Sequence, residues 1–124
     1  MNQQNERNHS YKQLVVWNKA IVLTVRIYDL TTSFPDSEKF GLISQMRRAA
    51  VSIPSNIAEG QCRSTEKDFK QFLHIAYGSC AELDTQLTIS KLIPDIPKKD
   101  YLEIENLLDE VMRMLNALIH TLNK

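Results

Sequence analysis

Glycine and proline are scarce, three and four in a chain of 124 residues. Many short strands would need more turn residues, so the scarcity argues against a β-sandwich or barrel and for long helices. There are two cysteines, Cys62 and Cys80, and they form no C-x-x-C pair. A disulfide framework and a cysteine-held zinc are left without support, and both read as free, reduced thiols. Long apolar runs are missing: none approaches the roughly 20 residues of a membrane span. The opening MNQQNERNHS lacks the apolar run of a signal peptide. The expectation is a disordered polar leader over residues 1–10 and a single domain over 11–124, in the cytoplasm.

An excess charge is also absent. Lys plus Arg and Asp plus Glu number fifteen each, which argues against a binder that relies on bulk electrostatics while allowing a local basic patch. What is present is ordinary for a soluble globular chain: 43% hydrophobic and 24% charged residues. A chain of this size buries a real core without metals or disulfides.

Apolar residues recur at helical spacing in four segments. The last is the clearest: Ile104, Leu108, Val111, Leu115, Leu118 and Leu122 step alternately by four and three, the inner line of a bundle helix. Pro97 suits its first turn, and Asp100, Glu103 and Glu105 suit the positive end of its dipole. The third segment aligns Phe69, Leu73, Ala76, Cys80, Leu83 and Leu87, with Ser64 or Thr65 as cap and Pro94 limiting its end near Leu92. The first, residues 11 to 32, carries two neighbouring apolar lines. One is Leu14, Trp17, Ile21 and Tyr28; the other is Val16, Ala20, Leu23, Ile27 and Leu30. So wide an arc fits either a deeply buried helix or one that also packs against another subunit. The second segment starts near Ser37, buries Met46, Ala50, Ile53 and Ile57, and ends at Gly60 as a left-handed stop. Short connections make the neighbours antiparallel. The fold expected is all-α, an antiparallel up-down-up-down four-helix bundle.

The second segment contains RRAAVSIPSNIAEG, in which polar residues run through a helical pattern interrupted by Pro54. Pro54 removes the bond to the Ala50 carbonyl, so a kinked but continuous helix is expected, with nearby serines helping the freed groups. The alternative is a true break, with Ser52 capping a new helix. Arg48, Ser52, Ser55 and Glu59 fall within about 60° of one another on the helix, flanked by Gln45, Asn56 and Arg63. Such a face is either ordinary solvated surface or an internal fastening. Its small residues favour the fastening, directed inward, with Glu82 a candidate partner for Arg48 and Ser79 one turn before it. A buried pair that loses one member costs about 3–5 kcal/mol.

Catalysis finds little support. Neither serine has a histidine near it in sequence or a glycine-rich elbow around it. His9, His74 and His120 are scattered, and no E-x-x-H or H-E-x-x-H occurs. Cys62 or His74 would matter only if a deep pocket joined them, or Glu59, to a second titratable group. The reading is a non-enzyme without cofactor, metal or evident small-molecule substrate. The charges are segregated: Lys12, Lys19 and Arg26 recur every seven residues, and Arg47, Arg48, Arg63, Lys67 and Lys70 gather around the second and third segments. Glu103, Glu105, Asp109 and Glu110 sit on the last segment. They pair within the bundle or face water, match between subunits, or touch nucleic-acid phosphates, for which Lys12, Lys19, Arg26, Arg47, Arg63, Lys67 and Lys70 are candidates.

The segments YKQLVVWNKA, FPDSEKFGLISQMRRAAVSIPSNIAEG and FKQFLHIAYGSCAELDTQL resemble the four-helix-bundle proteins encoded in intervening sequences of 23S ribosomal RNA genes, over roughly residues 11 to 122. The resemblance implies a small bacterial up-down bundle that assembles into homopentameric rings. It also implies a relation to the accessory protein of diversity-generating retroelements, which works with a reverse transcriptase and binds nucleic acid through a basic surface. It marks Arg48, Ser52, Ser55, Asn56, Glu59, Gly60, Ser79 and Glu82 as motif positions and implies no catalytic residue. The function expected is a non-enzymatic homo-oligomeric module that binds RNA, DNA or a nucleic-acid-handling protein. The alternative is a scaffold or protein-interaction ring without nucleic acid.

Overall fold

A computed structural model describes residues 10–97 and 101–122. Most of the leader expected over 1–10, and Asp100, expected near the start of the last helix, therefore lie outside the described residues. Four long helices carry the fold: α1 (Val15–Thr32), α2 (Ser44–Gln61), α3 (Glu66–Leu92) and α4 (Leu102–Leu122). Each packs against two neighbours, in the cycle α1, α2, α3, α4 and back to α1. That is a four-helix bundle without strands among the described residues. No helix among them is long and apolar enough to cross a membrane.

The periodic residues form the core. Leu23, Ile27, Met46, Ile53, Ile57, Leu73, Leu83 and Leu115 are fully buried. A side chain of this kind contributes on the order of 1.5–3 kcal/mol before the entropy of ordering is subtracted. The two lines of α1 separate: Val16, Ala20, Leu23, Ile27 and Leu30 enter the core, whereas Ile21 and Tyr28 stay exposed and Leu14 and Trp17 half-buried. Cys80 packs inside, and burial pushes its thiol up to about 12; Cys62 is exposed.

The helix ends depart from expectation in three places. α1 is preceded by a separate 3-10 turn, Ser10–Gln13, and Ser10 Oγ accepts a bond from Gln61 Nε2 at 3.0 Å. α2 begins at Ser44, not near Ser37, because a 3-10 turn, Asp36–Glu38, and a π-helical turn, Lys39–Ile43, come first. The backbone leaves helical values there at Gly41, with φ and ψ both −106°. α4 opens at Leu102, so Pro97 precedes the helix instead of sitting in its first turn; Glu103 and Glu105 do occupy that turn. At the start of α3, Thr65 is the cap, its hydroxyl accepting from the Asp68 amide at 3.1 Å.

Pro54 does not break α2, which continues to Gln61. The carbonyl that Pro54 deprives is that of Ala50, and its donor comes from α1: Thr24 Oγ1 lies 3.1 Å from it and 2.8 Å from the Ala20 carbonyl. The threonine proton is thus shared between the carbonyl one turn back and the one left orphaned across the interface. Serines beside the proline were expected to meet this need. Ser52 is turned toward α3 instead, and Ser55 is exposed.

Gly60 is not a left-handed stop. It lies within α2, its φ is not positive, and the helix runs one residue further. It is needed for close approach: a Cβ there would meet Phe72 Cβ at 2.7 Å, Phe69 Cδ1 at 3.0 Å and the Phe69 carbonyl oxygen at 3.3 Å. Gly78 in α3 is the opposite case, with nothing within 4 Å of an added Cβ.

Calorimetry or thermal melting of two alanine variants tests this reading. Gly60→Ala should lower stability by about 1–3 kcal/mol through overpacking, despite alanine's better helix propensity, whereas Gly78→Ala should raise it by about 0.5–1 kcal/mol. Equal shifts would contradict the close approach. Thr24→Val should cost about 1–3 kcal/mol by leaving the Ala50 carbonyl unpaired. In a Pro54→Ala background the restored amide serves that carbonyl, so the same change should cost clearly less; an unchanged cost would show that Thr24 acts otherwise.

Candidate functional site

The polar line of α2 divides at the helix surface. Successive residues turn by 100°, and the wall that α2 presents to α3 is centred near Ala49 and Gly60, both buried. Ser52 and Asn56 lie on its edge and are half-buried; Arg48, Ser55 and Glu59 lie a few tens of degrees outside it and are exposed. The expected inward row of struts is therefore correct for the small amide and hydroxyl and incorrect for the two ionic groups and Ser55. Ser52 Oγ and Ser79 Oγ are 2.9 Å apart across the α2–α3 interface. Asn56 Nδ2 donates to both the Ser52 carbonyl, at 2.8 Å, and the Ser52 hydroxyl, at 2.9 Å. Asn56 thus supplies protons to Ser52, which frees the Ser52 hydroxyl to donate to Ser79. The three side chains bond to one another and to the Ser52 carbonyl, and none of them is titratable.

Arg48 and Glu82 do not pair with each other, although both line one cleft between α2 and α3. Both side chains are exposed, and long side chains in water gain too little from pairing to be held together. Glu82 instead meets the amide of Gln86, one turn on. Glu59 pairs with Arg63 at 3.0 Å along α2, and Arg63 also covers the Phe72 ring, its guanidinium carbon 4.8 Å from the centroid.

The segregated charges meet mainly inside the chain. Lys19 of α1 pairs with Glu110 of α4 at 2.5 Å, Arg26 with Glu103 at 2.8 Å, and Lys91 of α3 with Glu105 at 2.7 Å. The hydrogen bond and charge of Glu103 raise the Arg26 guanidinium above its ordinary range. Arg47 is also occupied: its Nε donates to Thr31 Oγ1 at 2.9 Å, and its guanidinium sits 4.5 Å from the Tyr28 ring centroid. Of the cations proposed for nucleic acid, Lys12 and Lys67 are exposed and make no ion pair among the described residues, while Lys70 is half-buried on α3. The seven do not form one face.

Between α1 and α2 lies an apolar groove of about 340 Å³, whose walls include Tyr11, Trp17, Ile21, Val51, Pro54 and Ala58. Tyr11 and Trp17 meet edge to face, with centroids 5.4 Å apart. Val25, half exposed at 50%, and Tyr28, at 42%, extend the apolar surface along α1, and Val51, at 41%, extends it on α2. Of the outer line of α1, Leu14 and Trp17 are half-buried and Arg47 faces the Tyr28 ring, while Ile21 and Tyr28 remain exposed beside Val25. Neither this groove nor the Arg48 cleft contains Cys62, His74 or Glu59. Among the described residues, no three of His, Cys, Asp and Glu gather as a metal site.

Thr24 and Gln86 are the contributors that sequence reasoning missed. Thr24 lies next to Leu23 on a helix with ample apolar residues, and only knowledge of which carbonyl Pro54 orphans points to it. Gln86 lies beside the apolar Leu83 and Leu87, and a glutamine there signals nothing until its burial is seen.

A protein of unknown function from the S23 ribosomal protein family of Bacteroides thetaiotaomicron VPI-5482 has a similar crystal structure, with a TM-score of 0.74 and 27% sequence identity. The likeness covers 85% of this chain and 98% of that one. No curated protein matches the chain. The sequence profile of the 23S rRNA-intervening sequence proteins matches residues 12–117, from the turn before α1 to Ala117 within α4. With four helices in the expected order and the match spanning nearly all of them, the chain belongs to the 23S rRNA-intervening sequence protein family.

Proposed function

We propose that the chain is a non-enzymatic, self-assembling helical module of the cytoplasm, whose copies meet through the apolar face shared by α1 and α2. The observation that carries this reading is the outer line of α1. A helix that is apolar on nearly every side is normally buried on nearly every side, yet Ile21, Val25 and Tyr28 are exposed beside Val51. A contiguous apolar surface of this kind marks an interaction site. A ring of five copies, as in the intervening-sequence bundles that the sequence resembles, needs a head-to-tail contact in which this face meets a different surface of the neighbour. The charge pattern supports the same division of labour. Lys19 and Arg26 already hold α1 to α4 within one chain, which leaves contact between copies to apolar burial.

A second reading adds nucleic acid or a nucleic-acid-handling protein as the partner of the assembled ring. It draws on the exposed Lys12, Arg48 and Lys67 and on the likeness to the retroelement accessory protein, and five copies would multiply each weak phosphate contact.

Light scattering at micromolar concentration should give a mass several times the 14.3 kDa of one chain. Ile21→Glu combined with Val25→Glu should reduce it to one chain while the circular dichroism of the helices persists. A parent protein that is already monomeric, or a variant that assembles unchanged, would overturn the self-assembly. For the second reading, binding to a structured ribosomal RNA fragment should fall as salt rises, and more gently once Arg48→Glu and Lys67→Glu are introduced. Weak binding indifferent to both leaves the scaffold without nucleic acid.

A further inference from the structure

On the flank of the α2–α3 interface lies a cleft of about 420 Å³ lined by Gln45, Arg48, Glu82, Thr85, Gln86 and Ile89, a volume of the order that takes a small ligand. Gln86 is 6% exposed, and its Oε1 is buried without a hydrogen-bond partner. Its Nε2 makes one long bond, 3.4 Å to Glu82 Oε1, beyond the range of a good N–H···O bond. Turning the amide over would set its carbonyl oxygen against the carboxylate, so Glu82 fixes the orientation and the oxygen is left wanting a donor. An unpaired buried acceptor of this kind is rare and calls for an explanation.

The charges of the cleft supply one. Arg48 on α2 and Glu82 on α3 line the same opening yet form no ion pair with each other. Thr85 spends its hydroxyl proton on the Ala81 carbonyl, at 2.9 Å, so its oxygen offers only acceptor capacity. One wall therefore donates from a guanidinium, and the other accepts at a carboxylate, a hydroxyl and an amide oxygen. A simple anion would suit Arg48 and be repelled by Glu82; a simple cation would meet the reverse. Ile89, exposed at 44%, adds an apolar margin.

We propose that this cleft binds a small zwitterion of the α-amino acid class. The ligand's carboxylate lies on the Arg48 guanidinium, its ammonium on Glu82 and Gln86 Oε1, and its side chain along Ile89. Glu82 is exposed and only loosely held by Gln86, so its rotation opens the amide oxygen to the ammonium. The site shares no residue with the apolar groove of α1 and α2.

Calorimetric titration of the full chain with L-alanine, L-leucine and L-glutamine tests the proposal, with acetate and methylammonium as single-charge controls. At least one amino acid should saturate one site per chain, with both controls weaker by about tenfold or more. Arg48→Ala and Gln86→Met should each weaken that amino acid by about tenfold or more. Gln86→Met replaces an amide whose oxygen is unpaired and whose Nε2 makes only one long bond by an apolar group of similar volume, so it should melt no lower than the parent, and lost binding is then not lost folding. No saturation by any of the three up to about 10 mM, or equal binding by the two variants, would overturn the site. Acetate binding as tightly as the amino acids would reduce it to an anion contact of Arg48 and overturn the zwitterion assignment.

Discussion

The close approach of α2 to α3 is the constraint that organises the rest of the bundle. Where two helices are separated by ordinary side chains, almost any apolar pair of similar volume will serve. Here the Gly60 position lies so near Phe69 and Phe72 that even a methyl group would collide, and about two turns further along the interface Ser52 and Ser79 meet hydroxyl to hydroxyl. Small residues bring the backbones together, and polar groups caught by that approach must then find partners. Asn56 and Ser79 are those partners for Ser52. The rotation of α2 that places Ser52 and Asn56 at the interface is also what leaves Arg48, Ser55 and Glu59 in water, and what turns Pro54 toward α1, where Thr24 meets the carbonyl it orphans.

The fold was largely legible in the sequence because apolar periodicity reports burial directly. The alternation in α4 and α3 named Ile104, Leu108, Val111, Leu115, Leu73, Ala76, Cys80, Leu83 and Leu87, all buried, while Phe69, Leu118 and Leu122, at the ends of the two lines, are half-buried and Ile119 enters the core in place of Leu118. What the wheel did not resolve was the edge of each buried arc. Arg48 and Ser52 differ by about 40° on the helix, a difference smaller than the width of one neighbour's footprint, yet one is exposed and the other is at the interface. Gly60 was read as a terminator because glycine after an apolar run is a common stop. Its true reason lies in Phe69 and Phe72, across a turn, and no local pattern contains that information. The turns before α2 were missed for a similar reason: Gly41 permits a backbone departure but does not announce one.

The electrostatic pattern shows how a segregated charge distribution can be spent within one chain. Lys19, Arg26 and Lys91 each meet an acidic residue of α4. At this exposure each pair adds little to stability, so the pairs select which helices are neighbours more than they stabilise them. Fewer cations are then left for an outside partner than the sequence suggests. The surfaces with unmet demand are of another kind. The outer line of α1 exposes apolar area that its own chain does not cover, and the Gln86 amide holds an acceptor that its own helix does not satisfy.

On this account the polar residues of α2 divide into an inner pair that fastens the chain to itself and an outer set left free for other molecules. A double-mutant cycle on Ser52 and Ser79, followed by denaturant unfolding, tests that division most directly. Ser52→Ala and Ser79→Ala should each destabilise by about 1 kcal/mol, and the double variant by little more than either alone, since both remove the same bond. Additive losses, or no loss from either, would mean that the two hydroxyls do not hold α2 to α3, and the fastening would have to be sought elsewhere.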